Sequence, residues 1–524
     1  MKSAIYDDYM NLNYYAYLKA MQSRFTFLLP SDEALQYYYD PASMKSRHNR
    51  VIKFLFVGGS FPIKCNHYYY YSPYQKDKGI VGTVSTSAIP GSNPFTNNEI
   101  TNRLKDILES HTIVHDGTNP MSHVGSGNSS LPSQEYYDIP TTDPLPEYYL
   151  SKNGNAIKVI RDEEDNVIAV KGGFQLENER QGVESDTPGV LSCSVVEPNE
   201  TDNGYTFVLD APLVPTYRSV YSIFTNDADM LKVQPTGDYG GETPYSQFYD
   251  LCTADGYETE IIGCGLVDGN LSKTQRESGL KKFKIFISDN GLDYNVQFFN
   301  NYRYTIFVPT NEAVEQAIAD GLPTWEDIRE DFRSHCKPEI DDETGEPKLD
   351  PDGEIIYTDS LQTYEDSVRI AAKITYLTNF VRYHFADNSV FADRTVLKPN
   401  EMVTSSYDKE LELFCKLHVD RVANGDGTDL RVCDDVTWKK NGNSMGATPL
   451  VTTGEKNVLA RDVSCSSTPV NVQMKGITIN SSSAAVIHSI PGYLNHTEVI
   501  DGRHDKTWES TIKAKRYLQR YAIR

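Results

Sequence analysis

Eleven histidines are spread along the 524 residues, and two of them hold matching positions: His111 in LKDILESHTIV (104–114) and His384 in LTNFVRYHFAD (377–387). An imidazole can move protons or bind a metal, so its surroundings decide the reading. Leu104, Ile107 and Leu108 precede His111 by seven, four and three residues, and Leu377, Phe380 and Val381 stand at the same offsets before His384. These offsets place each ring on the apolar face of a helix, at its C-terminal end, where a ring N–H can satisfy a free backbone carbonyl. A hydrogen-bonded core residue is the expectation. His115 lies four residues after His111, but the helical pattern ends at His111, so the two share no helical face.

Other residue types raise other chemistries. Asp350, Asp352 and Glu354 in LDPDGE offer oxygens to calcium, yet Gly353 falls where an EF-hand loop does not place it, and the string reads better as a hairpin tip. The eight cysteines are scattered without a CxxC pair. Cys415 and Cys433 flank the turn NGDGT, which admits either a cross-strand bridge or two free buried thiols. Thirty-five tyrosines include YYYY at 68–71, Tyr136 with Tyr137, and Tyr148 with Tyr149, rings that can stack on sugars, dock a protein or simply pack. There is no HExxH, no P-loop and no GxGxxG behind a strand, and no GxSxG elbow is expected, which argues against enzymatic activity. The 73 acidic residues leave open a carboxylate pair assembled in three dimensions, as glycoside hydrolysis requires.

The elements that must position these residues are spelled twice. YTIFVPTNEAV (304–314) alternates Tyr304, Ile306 and Val308 with Thr305 and Phe307, as a strand does, until Pro309 stops it. Thr310 then suits a helix N-cap, with Glu312 in the first turn. FTFLLPSDEAL (25–35) repeats the design, with Ser31, Asp32 and Glu33 behind Pro30. Pro309 follows Pro30 by 279 residues, and His384 follows His111 by 273. NGYTFVLDAPL (203–213) and AAVIHSIPGYL (484–494), each a strand and a turn, set Leu494 281 residues after Leu213. Three landmarks in one order at near-equal offsets predict two copies of one unit.

The paired strings, the helix ending in Tyr383 and His384, and the closing VIHSI resemble the two sequence boxes and intervening histidine of fasciclin (FAS1) domains. DYNVQFFNNYRYTIFVPTNEAV, GLPTWEDI and YHFADNSVF resemble the bacterial branch found in surface lipoproteins of glycan-degrading Gram-negative bacteria. The resemblance implies an α+β fold of two FAS1-like domains, each a β-sandwich or wedge with helices packed alongside. They would span residues 1–217 and 218–500, followed by a helical tail over 501–524. It implies a non-enzymatic cell-surface adhesion or interaction protein on the extracellular face of the outer membrane, lipid-anchored through a segment absent from this chain. The partner would be a protein, with an outer-membrane glycan-uptake complex as the named possibility. The alternative is a glycan-binding accessory protein using Tyr136, Tyr137, Tyr148 and Tyr149, with a glycan-active hydrolase as the outsider. Tyr383 and His384 match a segment implicated in receptor binding in some members, although Ser110 replaces the tyrosine in the first copy.

Composition sets the outer bounds. Fifty Lys and Arg against 73 Asp and Glu give a net charge of −23, which repels a phosphate backbone, so no nucleic-acid partner is expected. No stretch is long and apolar enough for a transmembrane segment, and no motif calls for a cofactor or a metal. The first box lies near the start of the chain whereas a long stretch separates Tyr221 from Tyr304, so the chain is expected to be a trimmed or mature fragment of something longer. Residues 82–98 and 116–149 read as loops rich in Gly, Ser, Pro and Asn, and 337–359 as an acidic insertion.

Overall fold

The computed structural model describes residues 24–42, 50–55, 64–71, 83–84, 97–115, 121, 144–201, 204–216, 218–225, 243–253, 286–288, 294–296, 303–394, 401–408, 412–425, 427–466 and 477–496. The chain is α+β. Tyr136, Tyr137 and the 501–524 tail lie outside the described residues.

Two sheets organise the N-terminal and C-terminal halves. The first runs Thr112–His115, Arg24–Pro30, Gly204–Leu209, Cys193–Thr201, Val167–Lys171, Ala156–Arg161, Tyr148–Leu150. The second runs Leu450–Val451, Gly427–Asp434, Leu413–Asn424, Glu401–Asp408, Phe385–Asp387, Arg303–Pro309, Ile479–Ile490, Val458–Cys465. In each, the strand of the quoted string sits between a parallel partner and an antiparallel one. Arg24–Pro30 pairs in parallel with Gly204–Leu209 and antiparallel with Thr112–His115. Arg303–Pro309 pairs in parallel with Ile479–Ile490 and antiparallel with Phe385–Asp387. Pro30 stands opposite Leu209, and Pro309 opposite Ile490. Both prolines end their strands because they bring no N–H to the ladder.

The two strings diverge after the proline. Thr310 caps the helix Asn311–Ala319, its hydroxyl accepting from Ala313 N at 3.4 Å. Ser31 likewise accepts from Ala34 N at 3.2 Å, but only a 3₁₀ turn, Ala34–Gln36, follows before the strand Tyr37–Tyr39. The helix expected behind Ser31 is therefore a single turn. Its continuation is three tyrosines, good strand formers, and Tyr38 buries itself among Leu35, Ile52, Phe54, Leu104 and Ile107.

Those last two belong to Asn97–Ser110, the helix that delivers His111. The corresponding helix, Tyr364–Tyr383, is capped by Thr363, whose hydroxyl accepts from Asp366 N, and delivers His384. It packs Ile370, Ile374, Leu377, Phe380 and Val381 against Tyr304, Ile306 and Val308 of the box strand.

Both expected hairpins form. NGDGT joins Leu413–Asn424 to Gly427–Asp434, with Asn424 opposite Gly427 and Gly425 at φ +57°. That register sets Cys433 opposite His418, not Cys415, so the bridge considered for Cys415 and Cys433 does not form and both are free thiols. The LDPDGE tip closes with Leu349 opposite Ile355 and Gly353 at φ +87°.

Candidate functional site

The two histidines form the same node twice. His111 Nδ1–H donates to Ile107 O at 2.7 Å, and its Nε2 accepts from Leu213 N at 2.9 Å. His384 Nδ1–H donates to Phe380 O at 2.9 Å, and its Nε2 accepts from Leu494 N at 3.2 Å. The third pair of landmarks, Leu213 and Leu494, thus supplies the donor in each node. An amide aimed at Nε2 fixes that atom as the acceptor and leaves the proton on Nδ1. The carbonyls of His111 and His384 in turn accept from Leu28 N and Phe307 N, stitching each node to its box strand. Both rings are buried, and burial lowers each pKa to about 4 against the opposing pull of the backbone hydrogen bond. Neutral, with both nitrogens engaged, neither can bind a metal or relay a proton as placed.

Tyr383, Tyr148 and Tyr149 are also interior. Tyr383 is buried; its O–H donates to Lys416 O and accepts from Asp435 N at 3.0 Å. Ser110, which stands in its place in the N-terminal half, accepts from Asn153 Nδ2 at 2.8 Å. Tyr148 lies flat on Phe391, 4.6 Å between ring centres, and Tyr149 accepts from Arg161 at 3.0 Å. Both are buried, so neither offers a ring face to a sugar in this conformation. Asp350 spends its carboxylate on the amides of Asp352 and Glu354, each at 2.9 Å, as a turn residue does. Among the described residues, no three His, Cys, Asp or Glu side chains gather as metal ligands do.

One string has the spacing of a nucleophile elbow, Gly442-Asn443-Ser444-Met445-Gly446. It follows the short helix Asp435–Lys440 instead of standing between a strand and a helix, and Ser444 is exposed with its hydroxyl donated to Asn441 O at 2.9 Å. The turn lacks the context that makes such a serine nucleophilic.

What separate strings did not disclose is the junction of the two halves. Arg461, from the strand Val458–Cys465, is fully buried and paired through both terminal nitrogens with Asp106 of the helix Asn97–Ser110, one of the two bonds at 3.3 Å. One turn earlier, Asn102 and the backbone of Ile479 exchange two hydrogen bonds, at 2.8 and 2.9 Å. Arg103 donates to Ile477 O at 2.9 Å and to Asp40 Oδ1 at 2.8 Å, while His67 holds the other carboxylate oxygen at 2.9 Å. Burial alone raises the Asp40 pKa, but Arg103 and His67 override it and hold the carboxyl well below the usual range. Apolar contacts complete the seam, with Tyr148 and Ala156 against Phe391, Leu459 and Val486.

Beside this seam opens a cleft of about 520 Å³, walled by both halves. The N-terminal half contributes Lys105, Glu109 and Lys152 to its lining, and the C-terminal half Arg303, Asn388 and Asn480. Most of the lining residues are polar, with Ile479 the sole large apolar residue among them.

In comparisons with known proteins, no family model and no curated sequence matches the chain. Among the described residues, no helix is long and apolar enough to cross a membrane.

Proposed function

We propose that this chain is a non-enzymatic cell-surface adhesion or interaction protein built from two FAS1-like domains, over residues 1–217 and 218–500. The twice-formed histidine node supports the tandem reading: it joins box strand, helix end and closing segment by the same hydrogen bonds in both halves. The resemblance places the protein on the extracellular face of the outer membrane, as a lipoprotein serving a glycan-uptake complex.

The observation that carries the interaction reading is an apolar face held away from the core. Between Cys336–Pro338 and Tyr357–Leu361 the chain makes two tight turns, with Ile340 opposite Pro347, Leu349 opposite Ile355 and Pro338 opposite Tyr357. Strand alternation puts all six side chains on one face. Ile340, Leu349, Ile355 and Tyr357 remain 45, 59, 42 and 43% exposed. Four such side chains left in water on one small sheet mark a docking surface. Asp342, Glu343, Asp352 and Glu354 stand exposed around it, so its complement is an apolar patch with a basic rim. A second copy of this acidic chain is a poor fit.

Affinity purification from the native membrane tests the reading. A discrete partner should be retained by the parent chain and lost by L349E/I355E. Equal recovery by both, or turnover of a glycan by the purified chain, would overturn it.

A further inference from the structure

The cleft beside the seam is a site of a different kind. Both of its carboxylates are already spent: Asp106 faces Arg461, and Glu109 lies 3.4 Å from Lys152. Lys105, from the N-terminal half, has no carboxylate partner among the described residues, and Arg303, from the C-terminal half, has only Asn388 Oδ1 at 3.4 Å. A chain of net charge −23 thus presents two uncompensated cations in one opening. The same lining holds the side chains of Asn480 and Ser481 and the Nδ2 of Asn388, groups that donate or accept hydrogen bonds and make none among the described residues.

This combination selects a ligand class. The volume is that of a small-molecule site. A lining whose residues are mostly polar disfavours a wholly aromatic or aliphatic ligand, whereas its amides and hydroxyls match a molecule rich in hydroxyl groups. Two unpaired cations in one cleft favour negative charge on that molecule, and an arginine can hold a carboxylate through two parallel bonds. The walls are set in advance by the buried Arg461–Asp106 pair and the reciprocal Asn102–Ile479 bonds, so little ordering is lost on binding.

We propose that the cleft binds an acidic oligosaccharide, its carboxylates held by Lys105 and Arg303 and its hydroxyls by Asn388, Asn480 and Ser481. The inference is independent of the docking face at 337–361, since either can fail while the other stands.

Calorimetric titration of the whole chain tests it, with trigalacturonate as the probe and maltotriose and sodium sulfate as comparisons. Trigalacturonate should bind with a Kd on the order of 10⁻⁴ M, weakening as salt is raised. K105Q and R303Q should each weaken binding roughly tenfold with unchanged melting, because both side chains are exposed. K348Q, on the distant insertion, should bind as the parent does. No heat with trigalacturonate, equal binding of maltotriose, equal binding of sulfate, or full affinity in both cleft variants would each overturn the proposal.

Discussion

A buried imidazole that ties a helix end to the closing segment by two hydrogen bonds is a structural pin. Replacing His384 by Ala leaves a small cavity and strands Leu494 N–H and Phe380 O without partners. The expected loss is about 1 to 3 kcal/mol in a denaturant melt, with partner binding preserved; unchanged stability with lost binding would reassign His384 to a recognition surface. Acid should act through the same pins. The pKa values of His111, His384 and His488 all lie near 4 in the folded chain, below the usual 6.5, so the unfolded chain binds more protons between those values. Their contribution is complete above pH 6.5 and is lost as pH falls toward 4. Melting temperature should therefore drop from neutral pH to about pH 5, and less steeply in H111A/H384A than in the parent. The histidines were legible because their helical offsets forced burial. Tyr148 and Tyr149 were not, since their Pro- and Ser-rich neighbourhood concealed that they form a strand with Phe391 waiting in the other half.

At the level of elements, one cap design meets two outcomes. Thr310→Ala removes the acceptor for Ala313 N at the head of a nine-residue helix and should cost about 1 kcal/mol. Ser31→Ala, at a three-residue 3₁₀ turn, should cost a few tenths of that amount, as urea melts of the two variants can show. The sequence announced both caps but not the second outcome, because cap residues fix where a helix can begin and the following side chains decide whether it continues. The insertion at 337–361 was legible as a hairpin from Asp350, Pro351 and Gly353, while its exposed face became visible only when register placed Leu349 beside Ile355. L349E/I355E should melt within about 0.5 kcal/mol of the parent, since solvent-facing changes rarely cost more.

At the scale of the molecule, the seam makes one body of two similar halves. Asp106 and Arg461 lie 355 residues apart, and no local pattern in either string points to the other. R461M should cost about 3 to 5 kcal/mol because it leaves a buried carboxylate unpaired, and R461M/D106L should recover most of that loss. Calorimetry of the parent should show one transition, and R461M should split it in two. The strand Ile479–Ile490 begins at the seam, where Ile479 is tied to Asn102, and ends at the node, where Ile490 O accepts from Thr310 N. Its twelve residues reach roughly 40 Å. Arg303–Pro309 flanks it over 484–490 on one side and Val458–Cys465 over 479–487 on the other. Val458–Cys465 is held to the same helix, Asn97–Ser110, through Arg461, so a pull that drew the two halves apart along this strand would load the ladder with Arg303–Pro309 lengthwise, and those hydrogen bonds would have to break together instead of unzipping in turn. The strand that closes the C-terminal half is thus also a tether, resisting most strongly along its own length.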